Sequence, residues 1–223
     1  MKKAVVLLSG GLDSATSLYW ARAQGYHCAC LIFDYGQRHR KEILQARKIA
    51  ACAKSKAIVL PIHFPWKGSA LTDRKIGVPK NALGKTKIPS TYVPARNTVF
   101  LSFAAACAEA TGAAAIIIGA NAVDFSGYPD CRPSYYRAMR GVIRRGTKAG
   151  AQGKPLLILT PLIRKTKPQI IRLGIKLGVP YQSTWSCYQG GNLPCGSCDS
   201  CLIRAAGFRA VGLQDPAIDR KKS

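Results

Sequence analysis

The chain has 223 residues, 48% of them hydrophobic, which predicts one domain with an ordinary apolar core and excludes a disordered protein. The 34 lysines and arginines outnumber 10 acidic residues, so the net charge is +24 and weak, nonspecific polyanion binding is expected. No apolar run reaches the ~18 residues of a membrane-spanning helix. The apolar run after Lys2 and Lys3 is shorter than the core of a signal peptide. These features predict a cytoplasmic protein.

Strand and helix patterns alternate along the chain. Short apolar runs predict strands at 4–9, 28–34, 57–60, 114–119 and 156–159. Helices are predicted at 14–24, 40–54, 97–111 and 134–145, and a capping box of Thr166 and Gln169 opens a helix that ends at Leu177. This alternation predicts an α/β protein with a parallel sheet sandwiched by helices. We expect residues 1–180 to form this unit and residues 181–223 to form a small cysteine-rich segment packed on it.

The long connection at 64–92 is rich in proline and glycine and contains no predicted element. Loops of this length inside a compact domain are usually lids or binding loops. We therefore expect it to cover a site.

A glycine-containing loop joins the first strand to the first helix. Residues 9–14 read Ser-Gly-Gly-Leu-Asp-Ser. Glycine lets the backbone approach an anion closely, and a helix N-terminus offers free N–H groups to it. The loop has no lysine of the Gly-x-x-x-x-Gly-Lys type and no Gly-x-Gly-x-x-Gly pattern. It predicts a different kind of phosphate-binding loop, at the strand end where open α/β sheets bind ligands.

Four of the nine cysteines form a cluster with the spacing C-x₇-C-x₂-C-x₂-C, namely Cys187, Cys195, Cys198 and Cys201. Four thiolates suit a tetrahedral, structural Zn²⁺ with no open coordination position. An iron–sulfur cluster also takes four cysteines and stays an alternative. Four further cysteines fall in strand or helix patterns and are expected in the core: Cys28, Cys30, Cys52 and Cys107.

The loop at 9–14 resembles that of the N-type ATP pyrophosphatases, which cleave ATP to AMP and pyrophosphate. The resemblance implies a Rossmann-like adenine nucleotide alpha hydrolase fold, with ATP and Mg²⁺ as cosubstrate and Asp13 as a residue that orients Mg²⁺. The ATP-binding residues that it implies are Leu8, Ser9, Gly10, Gly11, Leu12, Asp13, Ser14, Ala15, Thr16, Ser17 and Leu18.

Further stretches narrow the resemblance to one family. They are Phe-Asp-Tyr-Gly-Gln-Arg-His at 33–39, Val-Pro-Ala-Arg-Asn at 93–97, Ser-Gly-Tyr-Pro-Asp-Cys-Arg-Pro at 126–133 and the cysteine segment at 184–201. Over nearly the whole chain they resemble the 7-cyano-7-deazaguanine synthases. The resemblance implies a ligase that forms C–N bonds: 7-carboxy-7-deazaguanine, ammonia and ATP give the nitrile preQ0, a queuosine precursor. It also implies a homodimer. Arg164-Lys165 and Pro168-Gln169 depart from the family pattern.

The same resemblance assigns further residues by their positions in these motifs. The implied catalytic residues are Asp13, Ser14, Arg96 and Lys167. The implied substrate-binding residues are Tyr35, Gln37, Arg38, Arg96, Asn97, Asp124, Tyr128, Asp130 and Arg132.

Each role has a structural alternative that the sequence leaves open. Asp13 could cap a helix, Arg96 could form a surface ion pair, and Lys167 could be solvated. Asp124 or Asp130 could close an Asx turn. His39 could be the base that deprotonates ammonia or a structural histidine. Cys131 has no assigned role.

Two other functions fit parts of the sequence. A tRNA-modifying ATP pyrophosphatase, of the thiolation or lysidine type, would explain the basic charge, including the bases at 137–148. A non-enzymatic zinc-knuckle RNA binder would explain the charge and the cysteines, but not the phosphate-binding loop.

Overall fold

The computed structural model describes residues 2–81, 88–121 and 127–218. Five parallel strands form one sheet in the order β3-β2-β1-β4-β5. The sheet places β1 at its centre, paired with β2 on one side and β4 on the other. The order reverses between β1 and β4, and such a switch point opens a crevice at the carboxyl ends of the strands. The strands are β1 (Lys3–Leu7), β2 (His27–Asp34), β3 (Lys56–Pro61), β4 (Ala115–Ile117) and β5 (Leu157–Leu159).

Helices cover both faces of this sheet. Successive side chains of a strand point to opposite faces. Val6 accordingly packs in one apolar cluster with α1, α2 and α6, whereas Val5 and Leu7 pack in another with α3 and α4. This arrangement confirms the predicted α/β fold. The helices are α1 (Leu12–Ala23), α2 (Lys41–Cys52), α3 (Arg96–Thr111), α4 (Pro133–Gly146), α5 (Lys148–Ala151), α6 (Lys167–Lys176) and α7 (Asp199–Arg209).

Every predicted strand and helix is present, with ends that differ by one or two residues. Helix α1 begins at Leu12 because Gly11 takes the N-cap position in an extended conformation. The predicted capping box of α6 is present, and the Thr166 N–H donates to Gln169 Oε1 at 2.9 Å. Helices α5 and α7 were not predicted. None of the helices in the described ranges is both long and apolar enough to cross a membrane.

A buried ion pair lies inside the C-terminal part of the chain. Arg204 on α7 contacts Asp215 through two hydrogen bonds of 2.6 and 2.8 Å, and both side chains are more than nine-tenths buried. The same guanidinium donates to Thr184 Oγ1 at 2.6 Å. Phe208 and Tyr181 stack edge to face in the apolar cluster that contains α1. The hydrogen bonds hold residues 181–218 together, and the packing of Phe208 and Tyr181 in the cluster with α1 fixes this segment against the helices of the sheet.

The cysteines outside the cluster divide between core and surface. Cys28 and Cys30 are buried on β2, as predicted. Cys107 is half-buried. The prediction of a core position was wrong for Cys52, because this residue ends α2 on its solvent side.

Candidate active site at the carboxyl end of β1

The loop after β1 makes very close backbone contacts. Gly10 has a φ of +84°, and a Cβ there would lie 2.2 Å from the carbonyl oxygen of Glu42 on α2. The Trp185 N–H donates to the Gly10 carbonyl at 2.9 Å. Only glycine satisfies both the left-handed backbone and the contact with α2. Gly10 is therefore a buried residue that holds the loop against α2.

Two serine hydroxyls lie together at the N-terminus of α1. Ser9 Oγ and Ser14 Oγ are 3.0 Å apart, and the Ser9 N–H donates to Ser14 Oγ at 3.2 Å. Gly11, the N-cap, provides no side chain to occupy the helix end. Free N–H groups and hydroxyls at a helix N-terminus form a favourable environment for phosphate.

A glycine that the sequence patterns did not single out lies against this loop. A Cβ on Gly119, just beyond β4, would lie 2.9 Å from the Asp13 carbonyl carbon and 3.0 Å from the Ser14 nitrogen. Glycine therefore allows the end of β4 to support the first turn of α1. The available signal was its position at the end of the predicted strand at 114–119, at the same sheet edge as the loop.

Asp13 and Lys167 form an ion pair across the two helix N-termini. Lys167 Nζ lies 2.8 and 2.7 Å from the two Asp13 oxygens. The side chains are 25% and 12% exposed for Asp13 and Lys167, respectively. Lys167 is thus not a solvated lysine on a distant surface. It neutralises the Asp13 carboxylate in the loop.

A cavity of about 230 Å³ opens beside the loop, at the switch point of the sheet. Its lining includes residues from the loop, the ends of β2 and β4, α3 and the C-terminal segment. The predicted site residues that line it are Leu8, Ser9, Gly11, Leu12, Asp13, Ser14, Tyr35, Arg96, Asn97, Tyr128 and Asp130. The lining also contains His39, Glu42, Gly119, Trp185 and Tyr188, which are not in the predicted ATP- or substrate-binding sets.

Arg96 is the basic residue of α3 that faces this cavity. It follows Ala95, whose φ of 52° turns the chain into the helix, and it is half-buried. Burial alone lowers the pKa of its guanidinium. Nearby Tyr35, Cys131 and Asp130 raise that pKa more, so the guanidinium stays charged. Burial likewise raises the pKa of the Tyr35 phenol to about 12, although Arg96 opposes the shift. The cavity therefore presents a fixed cation beside a neutral phenol.

Asn97 and Asp130 connect α3 to the segment before α4. The Asn97 N–H donates to Asp130 Oδ2, and its side-chain amide donates to the Asp130 carbonyl, each at 3.1 Å. The same amide lies 3.2 Å from Cys131 Sγ. Asp130 thus accepts a hydrogen bond from a residue far away in the sequence, at the start of α3. This network fixes one wall of the cavity.

Several predicted site residues lie behind the cavity wall. Gln37 is buried and accepts from the Tyr35 N–H at 2.8 Å. Arg38 Nη2 donates to the carbonyls of Asp73 and Ile76 at 3.1 and 3.0 Å. These two side chains shape the loops around the cavity.

The other predicted positions are scattered. Residues 15–18 are buried inside α1, and Arg132 is exposed at the N-cap of α4. Asp124 lies outside the described residues.

The described part of the 64–92 connection borders the cavity. Leu71, Thr91 and Tyr92 line it, and Thr91 Oγ1 lies 2.8 Å from the Tyr128 hydroxyl. Ala70 and Val78 pack in a small apolar cluster with the cysteines. The connection therefore links the cavity to the cysteine cluster.

The four clustered cysteines are arranged as metal ligands. Their sulfur atoms all lie within 4.8 Å of one another. A tetrahedron with metal–sulfur bonds of ~2.3 Å needs sulfur separations of about 3.8 Å, and Cys195 Sγ and Cys201 Sγ are 4.0 Å apart. Backbone N–H groups of Cys195 and Cys198 donate to cluster sulfurs at 3.3 Å. The cluster could hold one metal ion.

The pKa values of two thiols in this cluster, Cys187 and Cys195, are lowered. Hydrogen bonds from the thiols of Cys198 and Cys201 lower the pKa of Cys187, against the opposing effect of burial. Thiolate is the form that binds metal.

The fold, the glycine-containing loop after β1 and the cavity at the switch point together define an α/β protein with a candidate ligand site at the carboxyl end of its central strand. The model of one family, described as "Queuosine biosynthesis protein QueC", matches residues 3–212. The chain belongs to this family.

Curated relatives and a solved structure resemble the chain over most of its length. The 7-cyano-7-deazaguanine synthase of Thermosynechococcus vestitus is 54% identical, covering 96% of this chain and 94% of the relative. The 7-cyano-7-deazaguanine synthase of Hydrogenovibrio crunogenus is 53% identical, covering 98% of this chain and 96% of the relative. The structure of NMN synthetase from Francisella tularensis matches with a TM-score of 0.51 and 16% identity, covering 96% of this chain and 78% of that one. The last likeness concerns the fold alone.

Proposed function

We propose that this chain is a ligase that converts 7-carboxy-7-deazaguanine and ammonia to 7-cyano-7-deazaguanine, with ATP cleaved to AMP and pyrophosphate. Relatives that carry the name of this activity match nearly the whole chain at more than half identity. The observation that carries the proposal is the uncapped N-terminus of α1, which opens with Ser9 and Ser14 into the same cavity as Arg96.

The chemistry requires activation of a poor electrophile. A carboxylate on an electron-rich ring resists attack, and adenylation converts one of its oxygens into a phosphate leaving group. Ammonia then displaces AMP and gives the amide. A second ATP activates the amide oxygen, and loss of AMP gives the nitrile. Both halves begin with attack of an oxygen on the α-phosphorus, so one phosphate-binding loop serves twice. Positioning and charge stabilisation supply the rate enhancement.

The cavity residues divide these tasks. Ser9, Ser14 and the free N–H groups of α1 bind the pyrophosphate portion of ATP. Asp13 orients Mg²⁺, and its pairing with Lys167 holds the carboxylate at the loop. The Arg96 guanidinium neutralises the substrate carboxylate before adenylation and phosphate charge afterwards. Phe100, which stacks on the buried Phe33 at 3.9 Å between ring centroids, lines the cavity and offers an apolar surface to the flat ring.

The cysteine cluster binds one structural Zn²⁺ in this proposal. Four thiolates leave no open position, so the ion cross-links the segment rather than taking part in the reaction. Cys187, Cys195, Cys198 and Cys201 would hold it, and the packing of Val78 against them carries the restraint to the loop beside the cavity.

The proposal includes free ammonia as the nitrogen source, a homodimer and a cytoplasmic location. The dimer rests on the family resemblance, and sedimentation velocity of the purified protein tests it. Nucleic acid is not required for turnover, although a chain of charge +24 will bind it weakly at low salt.

The test is incubation of the purified protein with 7-carboxy-7-deazaguanine, ammonium, ATP and Mg²⁺, followed by mass spectrometry. We expect the nitrile together with AMP. AMP without the nitrile would point to another acceptor. Turnover that appears only with tRNA would favour a tRNA-modifying enzyme. No AMP from folded, metal-loaded protein would favour a binding module.

A further inference from the structure

Among the described residues that line the cavity, three carry carboxylates: Asp13, Glu42 and Asp130. Two of them are committed elsewhere. Asp13 pairs with Lys167, and Asp130 accepts a hydrogen bond from the Asn97 backbone. Glu42 is the carboxylate whose use the proposed function leaves open.

The environment of Glu42 holds its carboxylate in one orientation. Its Oε1 accepts from Gln37 Nε2 at 3.1 Å and lies 3.3 Å from His39 Nε2. Gln37 and His39 are more than nine-tenths buried, and the His39 ring packs edge to face on Tyr188. Oε2 makes no hydrogen bond or ion pair with any of the described residues, and the side chain is 12% exposed. One oxygen is thus fixed and the other is available to a ligand.

Glu42 also lies beside the phosphate-binding loop. Its backbone carbonyl approaches so close to Gly10 that a Cβ there would lie 2.2 Å away. Its negative charge contributes to the raised pKa of the Tyr35 phenol, which neighbours Arg96. The carboxylate therefore shares the cavity with the groups that would activate the substrate.

The proposed reaction needs a base in this position. Ammonia is mostly ammonium at neutral pH, and the nitrile nitrogen carries no proton. Every N–H proton of ammonium must therefore leave during the reaction, some before and some after the C–N bond forms. A carboxylate attracts the cation and can accept its protons.

We propose that Glu42 binds the ammonium ion and accepts its protons, with His39 and Gln37 as positioning residues. This inference rests on the proposed function. Ammonium gives a proton to Oε2, and the freed electron pair attacks the carbonyl carbon of the acyl adenylate. The bond from that carbon to the AMP oxygen then breaks, and AMP leaves with the electron pair. A second proton leaves the new amide nitrogen.

The second half uses the same carboxylate. The amide oxygen attacks the α-phosphorus of a second ATP and pyrophosphate leaves. The nitrogen loses its two remaining protons as the C–O bond breaks and the nitrile forms. Because Glu42 is partly exposed, each proton can pass on to water.

Glu42→Gln separates this role from adenylation. Adenylation alone is measured in the absence of ammonium. The assay is the exchange of pyrophosphate into ATP, which requires 7-carboxy-7-deazaguanine. We expect Glu42→Gln to keep this exchange within a few-fold of wild type and to lower kcat/KM for ammonium at least ~100-fold. Hydroxylamine is mostly neutral at pH 7 and needs no base to remove a proton before it attacks. Glu42→Gln should therefore still form the hydroxamate from hydroxylamine. The chain has one other glutamate, Glu109, and Glu109→Gln on α3 is the matched control.

Further variants test the positioning residues and guard against misfolding. His39→Gln keeps a donor that can reach Glu42, and His39→Ala does not. We expect His39→Ala to raise KM for ammonium and His39→Gln to restore most of that loss, with pyrophosphate exchange unchanged in both variants. Glu42→Asp retains the charge if Glu42→Gln does not fold, and should give an intermediate nitrile rate with normal exchange.

Two results would overturn the inference for Glu42. One is an equal loss of exchange and nitrile formation in a folded Glu42→Gln protein, which would place the residue in adenylation. The other is an unchanged kcat/KM for ammonium. Absence of exchange in the wild-type protein would be a failure of the proposed function itself, recognisable because it precedes any substitution.

Discussion

Replacing Gly119 by alanine should lower the turnover rate, because the added methyl group would displace the loop at the N-terminus of α1. The added Cβ would lie 2.9 Å from the Asp13 carbonyl carbon and 3.0 Å from the Ser14 nitrogen. Non-bonded heavy atoms prefer separations of about 3.5–4.0 Å, so the first turn of α1 must move by roughly 0.5–1 Å. A misplacement of about 1 Å can cost about 100-fold in rate, whereas the overpacking itself costs about 1–3 kcal/mol of stability.

The assay for Gly119→Ala is AMP formation under saturating substrates, with thermal melting recorded on the same sample. We expect turnover to fall between 10- and 100-fold, as an order of magnitude, in a protein that remains folded. Gly146→Ala is the control, because a Cβ at the end of α4 meets no atom within 4 Å. Wild-type turnover in Gly119→Ala would refute the argument that this contact positions the loop.

Three further substitutions test other parts of the account. Asp13→Ala should abolish AMP formation while metal content stays normal; retained turnover would remove Asp13 from the chemistry. Cys198→Ala should lower bound metal, measured by atomic absorption, and also the melting temperature, because it breaks the ligand set. Cys52→Ala, at an exposed helix end, is its control, and unchanged melting of Cys198→Ala would contradict a structural metal. Arg204→Met leaves Asp215 buried without its partner and should cost about 3–5 kcal/mol in urea unfolding; a loss below about 1 kcal/mol would show that the pair contributes little.

The order of strands and helices was predictable because each element has its own local pattern. Apolar runs such as 28–34 are short and end at turn residues, and they became β2 with one residue added. Helix α7 was missed because its N-cap, Cys198, and one residue of its first turn, Cys201, belong to the cysteine pattern. A metal-ligand pattern and a helix can share residues, and spacing alone does not separate them.

The loop at 9–14 and the cysteine cluster were predictable as local groups because their residues are close in sequence. Glu42 and Gly119 were not assigned to the site. Their contacts with the loop span 32 residues or more, and depend on how α2 and the end of β4 pack. The same reason explains Gln37 and Arg38, which carry a motif yet hold neighbouring loops from behind the cavity.

The pairing of Lys167 with Asp13 shows what sequence reasoning can and cannot reach. Both residues lie at helix N-termini, which places them at ligand-binding edges of the sheet. That α1 and α6 pack together, so that Nζ lies 2.7 Å from the carboxylate, follows only from the fold. Local pattern thus indicates which residues are candidates, and tertiary packing decides which of them meet.

The most direct test of the central claim is to follow the carboxylate oxygen atoms of the substrate into AMP and pyrophosphate. The substrate 7-carboxy-7-deazaguanine is labelled with ¹⁸O in its carboxylate, and the enzyme is supplied with ammonium, ATP and Mg²⁺. Because each carboxylate oxygen leaves on an adenylate, the account predicts one ¹⁸O in each AMP and none in pyrophosphate. Label found in water or pyrophosphate, with unlabelled AMP, would contradict activation by adenylation at the Ser9–Ser14 loop.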